Sequence, residues 1–387
     1  MKARLAVYLV AVLAVVAVGA GCSSSSTSSS SAAKTLRIGL EAPLTGELAE
    51  LGTGMLNGAK QAAAKLNAAG GVNGKQVEII AIDDKGDPEA GVAAANAAIK
   101  NGLDGIVGPY NSGVGLKTLP LYIVAGLVPI RLTSSDATAG LGFTLQPMTS
   151  QIAPVATDAL VKELKVTSVA LIVDDTAAYN KSAAEAMTKS FGAKGVTITA
   201  TQTIVPGATS YADAVAAVLA TNPDAVYVVT YFPEAGLIAQ AMAAANTSAK
   251  CLADYGAYDN GYITAAGSAA STCAVVGVPA PDEFPGSGSL VAAYTSQFSG
   301  APGAWSPYTY DSVLVLADAI SRADGTSKDA VTTALLATKG WKGWTGSVAF
   351  ESGTGNRLPA PVTVDIVNSS GAFEVDPAWI TATGFTY

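Results

Sequence analysis

No histidine occurs in the 387 residues, and with it go the commonest metal ligand and the commonest general base at neutral pH. Hydrolase triads of the ordinary kind are excluded. Cysteine is nearly as scarce: Cys22, Cys251 and Cys273 make up the full set of 3, too few for a Cys-based zinc site once one of them is otherwise engaged. Neither a metal nor a cofactor is expected. Basic side chains are outnumbered, 22 Lys and Arg against 30 Asp and Glu, so no nucleic-acid partner is expected. Phosphate-cradling loops are missing too. Gly113-Val114-Gly115 lacks the rest of a dinucleotide fingerprint, and Gly70-Gly71-Val72-Asn73-Gly74-Lys75 has neither the spacing nor the Ser/Thr of a P-loop; both read as turns. Carboxylates are numerous, but Asp83 with Asp84 and Asp174 with Asp175 are neighbours whose side chains leave a strand on opposite faces. Hinge, cap or solvated roles suit them better than an acid/base pair, and no catalytic residue is assigned.

What is present starts with a secretory signal. Lys2 and Arg4 precede an uninterrupted apolar and small-residue run from Leu5 to Ala20, about 16 residues where a membrane span needs roughly 20. Val18-Gly19-Ala20-Gly21-Cys22 resembles a bacterial lipobox, with Gly19 where that pattern prefers Leu. The resemblance implies cleavage after residue 21, lipidation of Cys22 and anchorage at the outer face of a membrane. Residues 23–31 are Ser apart from Thr27, so 22–34 read as a flexible tether. Loss of Lys2 and Arg4 leaves 20 basic against 30 acidic side chains, a mature charge of −10. In an oxidising compartment Cys251 and Cys273 read as a disulfide closing a short loop, or as two buried thiols.

From Leu36 onward, short β-branched runs alternate with Ala-rich helical stretches, the pattern of a parallel sheet covered on both faces. Strands are expected at 36–40, 77–82, 105–108 and 127–132, with helices at 51–66, 88–100 and from about Gly113. A comparable series restarts near Ile152: helix to Leu164, strand 168–173, helix 181–191, strand 196–201, helix 212–219, strand 225–230 and helix 234–245. After Cys273 come a long helix, capped by Ser306 with Pro307 at its first position and reaching Ala323, and strands near Val348 and at 362–367. These complete neither unit alone. The fold class is therefore α/β: two Rossmann-like three-layer lobes with parallel-sheet cores, joined by a multi-strand hinge. The expected division is 35–149 with 280–356 for lobe 1, and 150–279 with 357–387 for lobe 2. Ligands of open parallel sheets sit at the carboxyl ends of the strands, so a cleft between the lobes should be lined by residues that follow them.

Four segments then follow one another at fixed intervals: Pro43-Leu44-Thr45-Gly46, Asn57-Gly58-Ala59, Asn67 to Lys75, and Asp83-Asp84 through Asp87-Pro88. Their order and spacing resemble the leucine/isoleucine/valine-binding protein and its relatives, the type I periplasmic solute-binding proteins of ABC importers, from Leu36 to about Val367. The resemblance implies a ligand carboxylate held at Ser112, where a helix start also offers free N–H groups and a favourable dipole; Ser112 reads equally as an N-cap. It implies that Thr133 gives its carbonyl to an ammonium and that Ser135 gives its hydroxyl and N–H. Tyr179 and Tyr231 are the implied aromatic wall of the second lobe, or else core residues. The family's ammonium-binding carboxylate aligns with Tyr255, with Asp254 one residue earlier; for an amino-acid solute Asp254 shifts into that role and binds the ligand, and if Asp254 faces away, the solute is better matched by an amide or a carboxylate without an ammonium. Leu51 stands at a mouth position where the family often has an aromatic. Arg131 either pairs with Asp136 or points at an anionic solute.

The implied function is an extracytoplasmic, lipid-anchored binding protein that delivers a small amino-acid-like solute to an ABC permease. A monomer is expected, held to the membrane by its lipid and performing no chemistry. A non-amino-acid solute, or a sensory ligand-binding module, is the alternative.

Overall fold

The computed structural model describes residues 35–385; the expected signal, Cys22 and the tether lie outside the described residues. The first sheet is built from β1 (Leu36–Ala42), β2 (Val77–Asp83), β3 (Gly105–Val107), β4 (Pro129–Arg131) and β5 (Phe143–Thr144), with α1 (Ala49–Ala68), α2 (Pro88–Lys100) and α3 (Ser112–Val124) between them. Its order is β2-β1-β3-β4-β5, and every pairing is parallel. β1 is buried almost throughout, as a central strand covered on both faces must be, whereas β2 at the edge is partly exposed.

The chain then leaves this sheet for α4 (Thr149–Asp158), β6 (Ser168–Asp174), α5 (Ala178–Lys194), β7 (Thr197–Ile204), α6 (Ala212–Leu219), β8 (Ala225–Val229), α7 (Phe232–Ala245), β9 (Lys250–Ala253), α8 (Asn260–Ala266) and β10 (Ala274–Gly277). Strands β6 to β10 are mutually parallel. Next come α9 (Gly288–Phe298) and α10 (Ser306–Arg322), which return to pack on α1. After α11 (Lys328–Leu336) and the hairpin β11 (Trp341–Gly343) and β12 (Gly346–Val348), the chain crosses again. β13 (Thr363–Val367) and β14 (Phe373–Val375) extend the second sheet antiparallel, giving the order β14-β13-β10-β9-β8-β6-β7, and α12 (Pro377–Thr383) ends the described chain. Cys251 and Cys273 are joined in a disulfide flanking β9 and β10.

Close approaches fix how these parts sit. On α1, a Cβ at Gly58 would lie 2.2 Å from the Ser306 carbonyl oxygen, so glycine is what lets α10 seat against α1. Ser306 itself is not the cap expected from sequence: Trp305 precedes the helix, and the Ser306 hydroxyl donates to the Gly54 carbonyl at 2.8 Å, because α1 is near enough to offer an acceptor. The crossing segments are tied by Arg357, fully buried, which donates to the Thr345 carbonyl, the Ser347 carbonyl at 2.9 Å and the Thr345 hydroxyl at 2.9 Å. Asp311 on α10 accepts from the same turn, from the Trp344 and Thr345 amides at 2.8 and 2.7 Å.

At the carboxyl ends of β1 and β2 two carboxyl groups are buried together. Glu41 accepts from the Thr118 hydroxyl at 3.0 Å and Asp84 from the Gly86 amide at 2.8 Å, and each keeps one oxygen with no hydrogen-bond partner. Burial pushes Glu41 well above the usual carboxylate range, with Asp84 adding to it, and burial pushes Asp84 up to about 7. A group that holds its proton in the folded state but releases it when unfolded weakens the fold as pH rises between the two values. The melting temperature should therefore fall between pH 5 and pH 8, and Asp84→Asn, which keeps the Gly86 bond, should lessen that fall in scanning calorimetry. An equal fall in both proteins would show that Asp84 titrates normally.

Candidate functional site

Where the carboxyl ends of the two sheets face each other, residues from both close on a small cavity. Tyr110, Ser112, Leu132 and Ser134 line it from the first sheet's strand ends, Gln146 from the crossing that follows β5, and Tyr179, Tyr231, Tyr255 and Gly256 from the second sheet. The void among them is about 10 Å³, the room of one water, so the walls must part to seat anything larger. Direct polar contacts between the walls are few and long: Asn111 Nδ2 donates to the Tyr231 hydroxyl at 3.3 Å, and the Tyr255 hydroxyl donates to Gln146 Oε1 at 3.4 Å.

The first wall places Ser112 at the first position of α3, after Asn111, the residue that caps the helix through its backbone alone. Ser112 is therefore not an N-cap, and its hydroxyl is free to accept from the Ser135 amide at 3.2 Å. The two serines sit on the same side of the cleft. Their neighbours are spent elsewhere. Ser135 Oγ accepts from the Ala137 amide, capping a short turn, and the Thr133 hydroxyl bonds that of Thr138 at 2.7 Å. The Thr133 carbonyl, expected to meet an ammonium, accepts from Arg131 Nη1 at 3.4 Å. Ser134, between them, turns its hydroxyl to Gln146 Oε1 at 3.2 Å and lines the cavity instead.

Arg131 points neither into this cavity nor at Asp136 by a hydrogen bond. It reaches along the hinge to Asn356 Oδ1 at 2.6 Å, the Thr354 carbonyl at 3.2 Å and Met148 Sδ at 3.2 Å. Fully buried and with no ion pair among the described residues, it has its pKa pulled down to about 9 by burial.

The second wall settles which of two neighbours faces inward. Asp254 follows β9 and is buried beneath the surface of the cleft, its oxygens taken by the Tyr179 hydroxyl at 2.6 Å and by the Tyr227 hydroxyl. Burial pushes its pKa up, and the two phenols oppose that shift. Asp254 does not line the cavity; Tyr255 does. Adjacent residues leaving a strand diverge, and Tyr227 on β8 offers a donor on the inner side. Leu51 is likewise no mouth residue, being buried in the main core on α1.

Behind Tyr110 and Tyr255 stands Trp305, with ring centroids 5.9 and 5.2 Å away, and Tyr231 lies 6.2 Å from Tyr179. Burial raises the phenol pKa values, that of Tyr231 to about 12, so these hydroxyls stay neutral. Tyr110, Gln146, Tyr227 and Trp305 were not singled out from sequence. Tyr110 follows β3 and the strand-end rule covers it. Gln146 follows a strand of only 2 residues, which leaves no periodic signal.

The sequence model of the periplasmic binding protein family matches residues 35–372. The chain belongs to that family. Among curated relatives, the Leu/Ile/Val-binding protein BraC3 of Rhizobium johnstonii is 35% identical over 210 residues, which span 53% of this chain and 57% of that one. Of solved structures, the branched-chain amino acid transporter substrate-binding protein LivJ of Streptococcus pneumoniae, in complex with isoleucine, superposes with a TM-score of 0.79 at 24% identity, covering 89% of this chain and 99% of that one. A solute-binding protein of an ABC transporter from Rhodopseudomonas palustris, in complex with 3,4-dihydroxybenzoic acid, gives 0.76 at 19% identity, with 88% and 96% covered. The two-lobed type I fold and a solute-binding role follow, and the family is one of binding proteins. No helix among the described residues is long and apolar enough to cross a membrane, and no cluster of metal-ligating side chains occurs among them.

Asp254 supports its loop through two phenols, so its loss should register as stability. Asp254→Asn removes an acceptor for one buried hydroxyl, a cost of about 1–3 kcal/mol, and should lower the melting temperature while leaving the order of preference among solutes unchanged. Loss of binding confined to ammonium-bearing solutes, at an unaltered melting temperature, would place Asp254 in the cleft.

Proposed function

We propose that this protein captures a solute about the size of a branched-chain amino acid outside the cytoplasmic membrane and hands it to an ABC permease. The lobes of the clamp are taken as 35–149 with 280–356 and 150–279 with 357–387. The observation that carries the reading is the cavity between strand ends of both sheets, closed by hydroxyls and rings from each side. Ser112 and the amide of Ser135, at the start of α3, supply the anchor for a carboxylate. Tyr231 and Tyr255 cover the body of the solute from the other lobe. Solute favours closure only through the contacts it adds on the second lobe. The relatives named for Leu/Ile/Val binding and the isoleucine-bound fold neighbour support the size class; the neighbour holding 3,4-dihydroxybenzoic acid keeps a non-amino-acid solute within it.

A lipid on Cys22 would keep the clamp beside its permease. Cys22→Ser should move the protein from the membrane fraction to the soluble one; unchanged fractionation would remove the anchor from this reading.

Calorimetry of the purified protein against amino acids, amides and small carboxylates should find a saturable solute, and small-angle scattering should show the particle contract on binding. Ser112→Ala removes one charge-assisted hydrogen bond of about 1.5–3 kcal/mol. It should weaken binding by about 10- to 100-fold, with little change in melting temperature. A lowered melting temperature with affinity intact would reduce Ser112 to a structural residue.

A further inference from the structure

The polar groups of the cleft are sorted by sign. The two acceptors expected to meet an ammonium are already engaged: both oxygens of Asp254 by phenols, and the Thr133 carbonyl by Arg131. No ionised side chain lines the cavity among the described residues. The unmet demand is for an acceptor. Gln146, fully buried and on the cavity wall, spends Oε1 on Ser134 and Tyr255 and leaves Nε2 with no partner. The start of α3 faces the same space with its own N–H groups. Behind the first wall, Arg131 holds a buried positive charge among neutral partners, with one nitrogen unpaired. A buried ammonium here would lose its water and meet no ionised side chain on the cavity wall, whereas a carboxylate would meet the donors of Gln146 and the α3 start.

Resting on the solute-binding reading above, we propose that the solute is an organic acid without an α-ammonium group, its carboxylate held at Ser112 and the α3 start, its apolar or aromatic body enclosed by Tyr110, Leu132, Tyr231 and Tyr255. Tyr255 and Gln146 set this class: they present a neutral hydroxyl and an unpaired amide N–H to the cavity, and neither brings a carboxylate.

The test uses pairs that differ only in the ammonium: 4-methylpentanoate against leucine, and 3-phenylpropanoate against phenylalanine. With the full mature chain in calorimetry, the acid of at least one pair should bind ten-fold or more tighter than its amino acid. Tyr255→Glu should turn that ratio over by adding a carboxylate and repelling the acid. Should that variant not fold, Gln146→Glu places the charge from the first lobe, with the same expected reversal. An amino acid binding as tightly as its acid in the unaltered protein overturns the inference and leaves the clamp intact, as does an unchanged ratio in both variants. If no member of either pair binds while small neutral amides do, the carboxylate is wrong and the clamp again stands. If no small solute of any kind binds or contracts the particle in scattering, it is the solute-binding reading itself that falls.

Discussion

Asp254 and Arg131 sit on the two segments that form the floor of the cleft, one in each lobe, and neither reaches into it. Taking an ion out of water costs several kcal/mol unless its hydrogen-bonding capacity is filled. Here it is met, apart from Arg131 Nε, by neutral groups: two phenols for the carboxylate, and carbonyls, an amide and a thioether for the guanidinium. Each charge is thereby fixed in place and turned away, and the cavity between them is left with hydroxyls, a primary amide and rings. Recognition in such a site works through dipoles of defined direction. The direction they take, donors inward and acceptors already bonded, follows from how the two buried ions are satisfied.

Movement in this clamp has a similarly local basis. Chain segments crossing between the lobes are pinned by Arg357 and Asp311, whose bonds to the Trp344–Thr345 turn are short and buried. Across the mouth, by contrast, the walls meet through bonds of 3.3 and 3.4 Å, near the limit at which a hydrogen bond contributes. The polar contacts between the walls are thus longer than the bonds within the pinned segments, and in the clamp proposed above a solute favours closure by the contacts it adds on the second lobe.

Much of this was legible in the sequence. The alternation of β-branched runs with Ala-rich stretches located β1, β2, α2, β6, α6 and β8 nearly to the residue, because each lies in a covered parallel sheet or on it, where periodicity and burial agree. The second sheet's β9 and β10, with 4 residues each, were too short to announce themselves, and β13 and β14 join antiparallel through pairings no local pattern encodes. At the site, Ser112, Tyr179, Tyr231 and Tyr255 were reached through the family resemblance, and all four line the cavity. Tyr179 and Asp254 turned out to serve each other. Thr133 and Ser135 kept their places but not their hydroxyls, since the turn at 135–138 captures both. Such captures depend on which partner lies within 3 Å, and a sequence does not hold that distance.

The same backbone can carry solutes of different charge because the two halves of recognition are separable. A helix start with a serine draws its donors from the main chain; fold neighbours at 24% and 19% identity hold isoleucine in one case and 3,4-dihydroxybenzoic acid in the other. At the second lobe's strand end, one residue of position decides which side of the chain a carboxylate takes. Moving a carboxylate from position 255 to 254 sends it to the opposite side of the chain, since successive residues diverge, and Tyr227 must then be present on β8 to receive it, or the buried charge would be left without a partner. The phenol at 255 forms the wall, tilted 60° against Trp305 at 5.2 Å. In the reading proposed above, charge selectivity rests on a coupled set, Asp254 with Tyr227 and Tyr179 beneath and Tyr255 with Gln146 above.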